Sequence, residues 1–170
     1  MPRPGTVPIV SDWPEPVQRV ATFLEESGAE ARIEEFSAGT PTAKEAAEAV
    51  GCALGDIVKS LVFRCDGRAI VVLVPGDRRA DADKVAGAVG CTDLRIACGG
   101  EIEEATGFTP GAVAPFPLPA VETVLVDRSL LTRELVWAGA GSDRHILGIE
   151  PSELVRLSRA KAMDVVGGDA

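Results

Sequence analysis

Apolar residues recur along this chain with two periods, and the switches between them mark out its elements. Val17, Val20, Ala21 and Leu24 stand at helical spacing behind Pro14 and Pro16, which suit a first turn, and Gly28 closes that segment. Ala31 to Phe36 alternates as a strand does, with Ile33 opposite Glu34. Thr42 followed three residues later by Glu45 is a capping-box signature, so an alanine-rich helix is expected to run to Val50 and stop at Gly51.

A short turn through Gly55 and Asp56 then leads into Ile57-Val58-Lys59-Ser60-Leu61-Val62-Phe63. The runs Ser60 to Cys65 and Ala69 to Val74 flank Asp66-Gly67, a pair that favours the tight turn matching strand twist, so a hairpin is expected there. Its second strand is apolar on both faces and should be central. Pro75 to Ala80 reads as a loop and Asp81 to Val89 as a helix ended by Gly90. Leu94 to Ala97, Thr123 to Val126, Leu135 to Ala138 and His145 to Ile149 read as strands. Glu101 to Ala105 reads as a helical turn, and Pro151 opens a helix to about Leu157. Residues 1–11 read as a loose lead-in, 12–166 as one domain and 167–170 as a frayed tail. Helices and strands mix without strict βαβ alternation. The fold class that follows is α+β, a single domain with a mixed sheet surrounded by helices.

One position breaks the strand pattern. By period two, Lys59 shares a face with Leu61 and Phe63, so it points as core residues point. A substrate-gripping cation and a solvated edge lysine both fit that placement. Some fifty residues on comes Thr106-Gly107-Phe108-Thr109-Pro110-Gly111-Ala112-Val113-Ala114-Pro115. Proline stiffens such a loop and glycine lets its backbone approach closely, so its amides are candidates to receive a carbonyl oxygen or an oxyanion; a plain structural turn is the alternative. Gly139-Ala140-Gly141-Ser142 is a second small-residue loop, and Ser142 would donate a hydrogen bond to a ligand or cap the turn.

Composition narrows the chemistry. A chain of 170 residues suits one domain with a full core. Its net charge of −9 argues against a broad basic grip on nucleic acid, so no DNA partner is expected, although a local basic pocket for one nucleic-acid end remains compatible. No apolar stretch approaches the roughly 18 residues of a membrane span, and the N-terminus lacks the pattern of a signal peptide, so a cytoplasmic location is expected. Cys52, Cys65, Cys91 and Cys98 show no CxxC spacing and His145 is the single histidine. Buried free thiols are therefore expected, with no metal site and no cofactor. His145 is a candidate general base or a strand histidine bonded to a neighbour. Trp137 would stack on an adenine or pack in the core, Phe108 would line a pocket or anchor the loop, and Asp127 and Asp143 read as turn or cap residues.

The run Ile57-Val58-Lys59-Ser60-Leu61-Val62, the segment Gly107 to Pro115 and Gly139-Ala140-Gly141 occur in the order and spacing of the YbaK/ProX proteins, which this chain resembles over roughly Val17 to Val166. These are aminoacyl-tRNA deacylases related to the editing insertion domain of bacterial prolyl-tRNA synthetases. The resemblance implies a mostly antiparallel, curved, partly barrel-like sheet. It also implies hydrolysis of the ester joining a wrong amino acid to a tRNA, with tRNA(Pro) carrying alanine or cysteine as the foremost substrate. Lys59 would hold the acceptor end, the amides of Gly111 and Ala112 would place and polarise the carbonyl, and Phe108, Pro115, Gly139, Gly141, Ser142 and His145 would shape the site. Hydrolysis would lean on the substrate itself, through a terminal ribose hydroxyl or a cysteine thiol. Many relatives carry a second glycine where Ala112 stands, which bears on amino-acid specificity. An aminoacyl-tRNA synthetase is a further candidate partner. The alternatives are a non-catalytic module that binds tRNA ends or a synthetase, and a scaffold acting through protein contacts.

Overall fold

The structure, a computed structural model, describes residues 12–40 and 42–169; the expected lead-in, residues 1–11, lies outside the described residues. Helix α1 (Glu15–Glu26) opens on its two prolines and buries Val17, Val20, Ala21 and Leu24, the stripe its spacing predicts. It is followed by β1 (Ala31–Glu35) and α2 (Ala43–Val50). The Thr42 hydroxyl accepts the Glu45 N–H at 3.1 Å, and Gly51 ends α2 at φ 74°. Next come β2 (Ile57–Cys65) and β3 (Arg68–Pro75), joined by Asp66 and Gly67 at φ 48° and 86°, both in the left-handed region that such a hairpin turn requires.

The chain continues through β4 (Arg78–Ala80), α3 (Ala82–Val89), β5 (Leu94–Ile96), α4 (Gly99–Thr106), β6 (Thr123–Asp127), β7 (Val136–Gly139), β8 (His145–Ile149), α5 (Pro151–Ser158), β9 (Lys161–Met163) and β10 (Val166–Asp169). The main sheet is mixed, in the order β1-β8-β7-β2-β3-β6-β9, with β5 added beside β2. It is open, with β1 and β9 as its end strands, so the curvature expected of it does not close into a barrel. As its apolar run predicts, β3 is central, between β2 and β6.

Side-chain alternation in β2 divides the core. Val58 and Val62 face a cluster built with α1, α5 and Phe108, whereas Phe63 and Cys65 face Val72, Val74 and the Val85 side chain of α3. Ile57, on that second face, packs with Trp137, Ile146 and the Ala46–Ala47 face of α2. Among the described residues no helix is long and apolar enough to cross a membrane.

Three expectations need correction. Pro75 to Ala80 is not wholly loop, because Arg78–Ala80 forms β4. The tail does not fray at Gly167, because β10 pairs antiparallel with β4. The thiols are not all free and buried: Cys65 and Cys91 form a disulfide, Cys52 is half-buried and Cys98 is exposed. The bond has a local cause. The Asp66 carboxylate accepts the N–H groups of Thr92 and Asp93 at 3.2 and 2.8 Å, and this fastens the segment after α3 beside the end of β2.

Candidate active site

Strand β2 has a continuous neighbour on one side only. Along the other side β7 pairs with Ile57 and Val58, β5 pairs with Phe63, Arg64 and Cys65, and the Ala97 N–H closes on the Val62 carbonyl at 2.9 Å. Between these two partial partners, Lys59, Ser60 and Leu61 border a gap in the sheet. A cavity of about 320 Å³ opens there. The start of α2, with Thr42, Ala43 and Ala46, walls one side; Pro110, Gly111 and Val113 wall another. Gly139, Ser142 and His145 stand at the β7 end, and Ile96, Ala97 and Ile102 at the β5 end.

Lys59 reaches this cavity from the Ile57–Leu61 face of β2. Its ammonium donates to the Arg78 carbonyl at 3.0 Å, which leaves two of its N–H bonds for other partners. Burial lowers its pKa from the ordinary 10.5; the neighbouring Arg79 lowers it further, and Asp77 opposes both. The lysine is thus a partly desolvated cation tied to β4, not a solvated edge residue.

The 107–115 loop does only part of what was expected. Thr109-Pro110-Gly111-Ala112 is a tight turn with proline second and glycine third: Gly111 has φ 84°, and the Ala112 N–H donates to the Thr109 carbonyl at 3.0 Å. The Ala112 amide is therefore already engaged, and its residue is only 4% exposed. The Pro-Gly pair at those turn positions is the sequence signal that could have revealed this. Gly111 lines the cavity and is exposed. Phe108 is wholly buried under the Arg19 guanidinium, 4.7 Å from its ring centre, and Pro115 lines a separate hollow with Phe23 and Leu157. Both therefore shape the loop from behind.

The β7–β8 turn is held close by its glycines. A β-carbon at position 139 would stand 2.7 Å from the Val113 carbonyl oxygen. Gly141, at φ 102°, is buried against Pro16 and Val17 at the start of α1, outside the cavity wall. Ser142 accepts the Arg144 N–H at 3.0 Å and lies 2.6 Å from His145 Nδ1, while His145 Nε2 lies 2.9 Å from a Glu35 carboxylate oxygen. A carboxylate only accepts, so Nε2 carries a proton, and in the neutral ring Nδ1 then accepts from the Ser142 hydroxyl. With both ring nitrogens occupied and the residue 4% exposed, His145 is a bonded strand histidine. Trp137 is buried with Ile57 and Ala46 and lies over Gly148 of β8, where a β-carbon would meet its ring at 2.8 Å. The Asp127 carboxylate caps Ser129 N–H and Val165 N–H, each at 3.1 Å. Among the described residues, the one cluster with metal-ligand spacing is Cys65, Asp66 and Cys91, whose two sulfurs form the disulfide.

The sequence reading passed over Ser60. Its Oγ is buried and has no hydrogen-bond partner, although it lies in the residue that borders the gap.

Comparison with known proteins places this geometry. Residues 37–157 match the model of the aminoacyl-tRNA editing domain. The chain is 32% identical over 146 residues to the uncharacterised protein YwhH of Bacillus subtilis (strain 168), covering 85% of this chain and 92% of that one. It is 34% identical over 116 residues to a proline–tRNA ligase of Maridesulfovibrio salexigens, covering 67% of this chain but 20% of the ligase. A crystal structure of a candidate trans-editing enzyme for prolyl tRNA synthetase superposes with a TM-score of 0.86 at 38% identity, over 92% of this chain and all of that one. The matched segment carries Lys59, the Gly111 turn and the Gly139 turn around a single cavity, and the chain belongs to the aminoacyl-tRNA editing domain family.

Proposed function

We propose that this protein is a trans-editing hydrolase that cleaves the ester of mischarged aminoacyl-tRNA, with alanine or cysteine on tRNA(Pro) as its substrate. The observation that carries this reading is the cavity at the gap beside β2, where a partly desolvated lysine, an exposed glycine turn and a close-packed glycine stand around one space in an editing-family domain. The choice of tRNA(Pro) rests on the likeness to proline–tRNA ligases and to the candidate trans-editing enzyme.

In this reading the two unused N–H bonds of Lys59 hold the acceptor end as a point charge. The Gly111 N–H faces the acyl carbonyl and stabilises the charge that grows on its oxygen; the engaged Ala112 amide holds the turn in shape. Gly139 keeps that turn against β7. The ester is already activated, so positioning and polarisation suffice, with a ribose hydroxyl or the cysteine thiol of the substrate assisting. The partner is the tRNA acceptor end, and a prolyl-tRNA synthetase is the candidate protein that supplies it.

The test is release of amino acid from tRNA(Pro) charged separately with alanine, cysteine, serine and proline, using wild type and Lys59→Ala. Hydrolysis of the alanyl or cysteinyl form, lost in the variant and sparing the prolyl form, is expected. Absence of turnover on every ester at high enzyme concentration overturns the proposal.

A further inference from the structure

In an antiparallel ladder, successive residues present their backbone N–H and C=O to opposite neighbours. The Ile57 carbonyl accepts the Gly76 N–H on the β3 side, and the Val62 carbonyl accepts the Ala97 N–H on the other side. Even-numbered residues of β2 therefore face away from β3. Val58 meets β7 and Val62 meets Ala97, which leaves Ser60 as the residue whose peptide N–H and C=O both point into the gap. Neither has a backbone partner among the described residues, and the Ser60 hydroxyl is unpartnered too. Strand-edge groups of this kind take up hydrogen bonds wherever a ligand supplies them.

We infer that the Ser60 peptide binds the α-amino acid core of the substrate as a one-residue β-bridge: its C=O accepts the substrate's α-ammonium, and its N–H donates to the acyl carbonyl. This rests on the editing reading above and names what that site recognises. The match is specific. A single residue's N–H and C=O pair with both groups of one opposing residue only in the antiparallel arrangement, and an α-aminoacyl ester carries that pair of groups and no more. The gap has the corresponding length. From Val58 to Val62 is four strand rises, about 13 Å, and Gly139 and Ala97 occupy its two ends, so one residue fits where a longer peptide strand does not. Opposed residues in such a pair send their side chains to the same face. The amino-acid side chain therefore lies beside that of Ser60, toward the Val58–Val62 face and the Val113 loop. Recognition of the core is thereby separated from recognition of the side chain.

The experiment uses the isotope-labelled full chain and non-hydrolysable conjugates in which the acyl group is joined by an amide to 3′-amino-3′-deoxyadenosine. Alanyl and propionyl conjugates differ only in the amino group. The alanyl conjugate is expected to shift the Ser60 amide resonance and slow its hydrogen exchange. It should bind about tenfold or more tighter than the propionyl conjugate, as befits a hydrogen bond from a charged donor. Ser60→Ala, which keeps the peptide, should keep that ratio. Equal binding of the two conjugates, an unmoved Ser60 amide while Gly111 and Gly139 respond, or a ratio lost in Ser60→Ala each overturns the bridge and leaves the editing reading standing. Failure of every conjugate to move any cavity resonance overturns both.

Discussion

Gly139 and Val113 are in such close apposition that a β-carbon on the first would stand 2.7 Å from the carbonyl oxygen of the second and 3.4 Å from its carbonyl carbon. Both obstacles are backbone, so nothing at this contact can rotate out of the way. Gly139→Ala must push the Pro110–Val113 turn away from β7. Overpacking of this kind costs about 1–3 kcal/mol. A shift of about 1 Å in a positioning loop is worth on the order of 100-fold in rate. The expected outcome is a small fall in melting temperature with a fall in deacylation kcat/KM of about 100-fold. A variant with full activity would separate the turn from the chemistry.

Lys59 should oppose stability while serving function. Burial and Arg79 lower its pKa below 10.5, so between the depressed value and 10.5 the unfolded chain holds more protons than the folded one. Stability from this group therefore rises with pH across that window: the cost is present in full below the folded pKa and is gone above 10.5. Lys59→Met should lose deacylation yet be no less stable than wild type near pH 7. Urea midpoints measured from pH 7 to 11 should show wild type gaining on the variant as pH rises. A constant difference would mean that the lysine pays no desolvation cost.

The local signals in the sequence were good guides where neighbours in sequence are also neighbours in space. The Asp66-Gly67 hairpin, the Thr42 cap and the α1 stripe are of this kind, and each forms as its pattern implies. The three-residue strands β4 and β9 carry no alternation in Arg78-Arg79-Ala80 or Lys161-Ala162-Met163, and their partners are remote. Their pairing is decided by tertiary contact, which local pattern does not encode. The same reason hid Ser60. Its peptide is open only because β7 and β5 stop short of each other, a property of three strands at once. Lys59, Gly111, Gly139, Ser142 and His145 line one cavity. Phe108, Pro115 and Gly141 lie outside the cavity wall, Phe108 as the loop anchor that was its alternative reading, because each of the two loops has two sides and spacing alone does not say which side lines the cavity.

Acid should loosen the β5–α4 corner. The Glu101 carboxylate takes two hydrogen bonds from Arg95, at 2.7 and 2.8 Å, and one from the Cys98 N–H at 3.1 Å, and the Arg95 pair holds its pKa far below the ordinary 4.5. A carboxylate depressed in the folded state contributes stability that is present above 4.5 and lost as pH falls through its folded value. The stability difference between wild type and Glu101→Gln should therefore be constant above about pH 5.5 and shrink steadily below 4.5. Denaturation midpoints from pH 7 to 3 measure it. A difference that does not change with pH would assign the corner's stability to packing around Ile102 instead.

His145 faces the cavity with both ring nitrogens taken, Nδ1 by the Ser142 hydroxyl and Nε2 by Glu35. A general base needs a free acceptor aimed at the proton it removes, and such a base typically contributes about 10²–10⁴-fold. Here the ring instead fills space between the β7–β8 turn and Trp13, whose ring centre lies 5.3 Å away. His145→Ala should thus enlarge the cavity while leaving the shape of the pH–rate profile unchanged. Its effect should appear in selectivity, because one methylene of fit is worth about 1–3 kcal/mol and an enlarged wall forfeits part of that. The ratio of kcat/KM for the smallest aminoacyl ester accepted to that for a larger one should fall by roughly tenfold in the variant. Loss of a limb of the profile between pH 5 and 8, together with equal losses on all esters, would instead make His145 the proton acceptor and require Ser142 or Glu35 to release it when substrate binds.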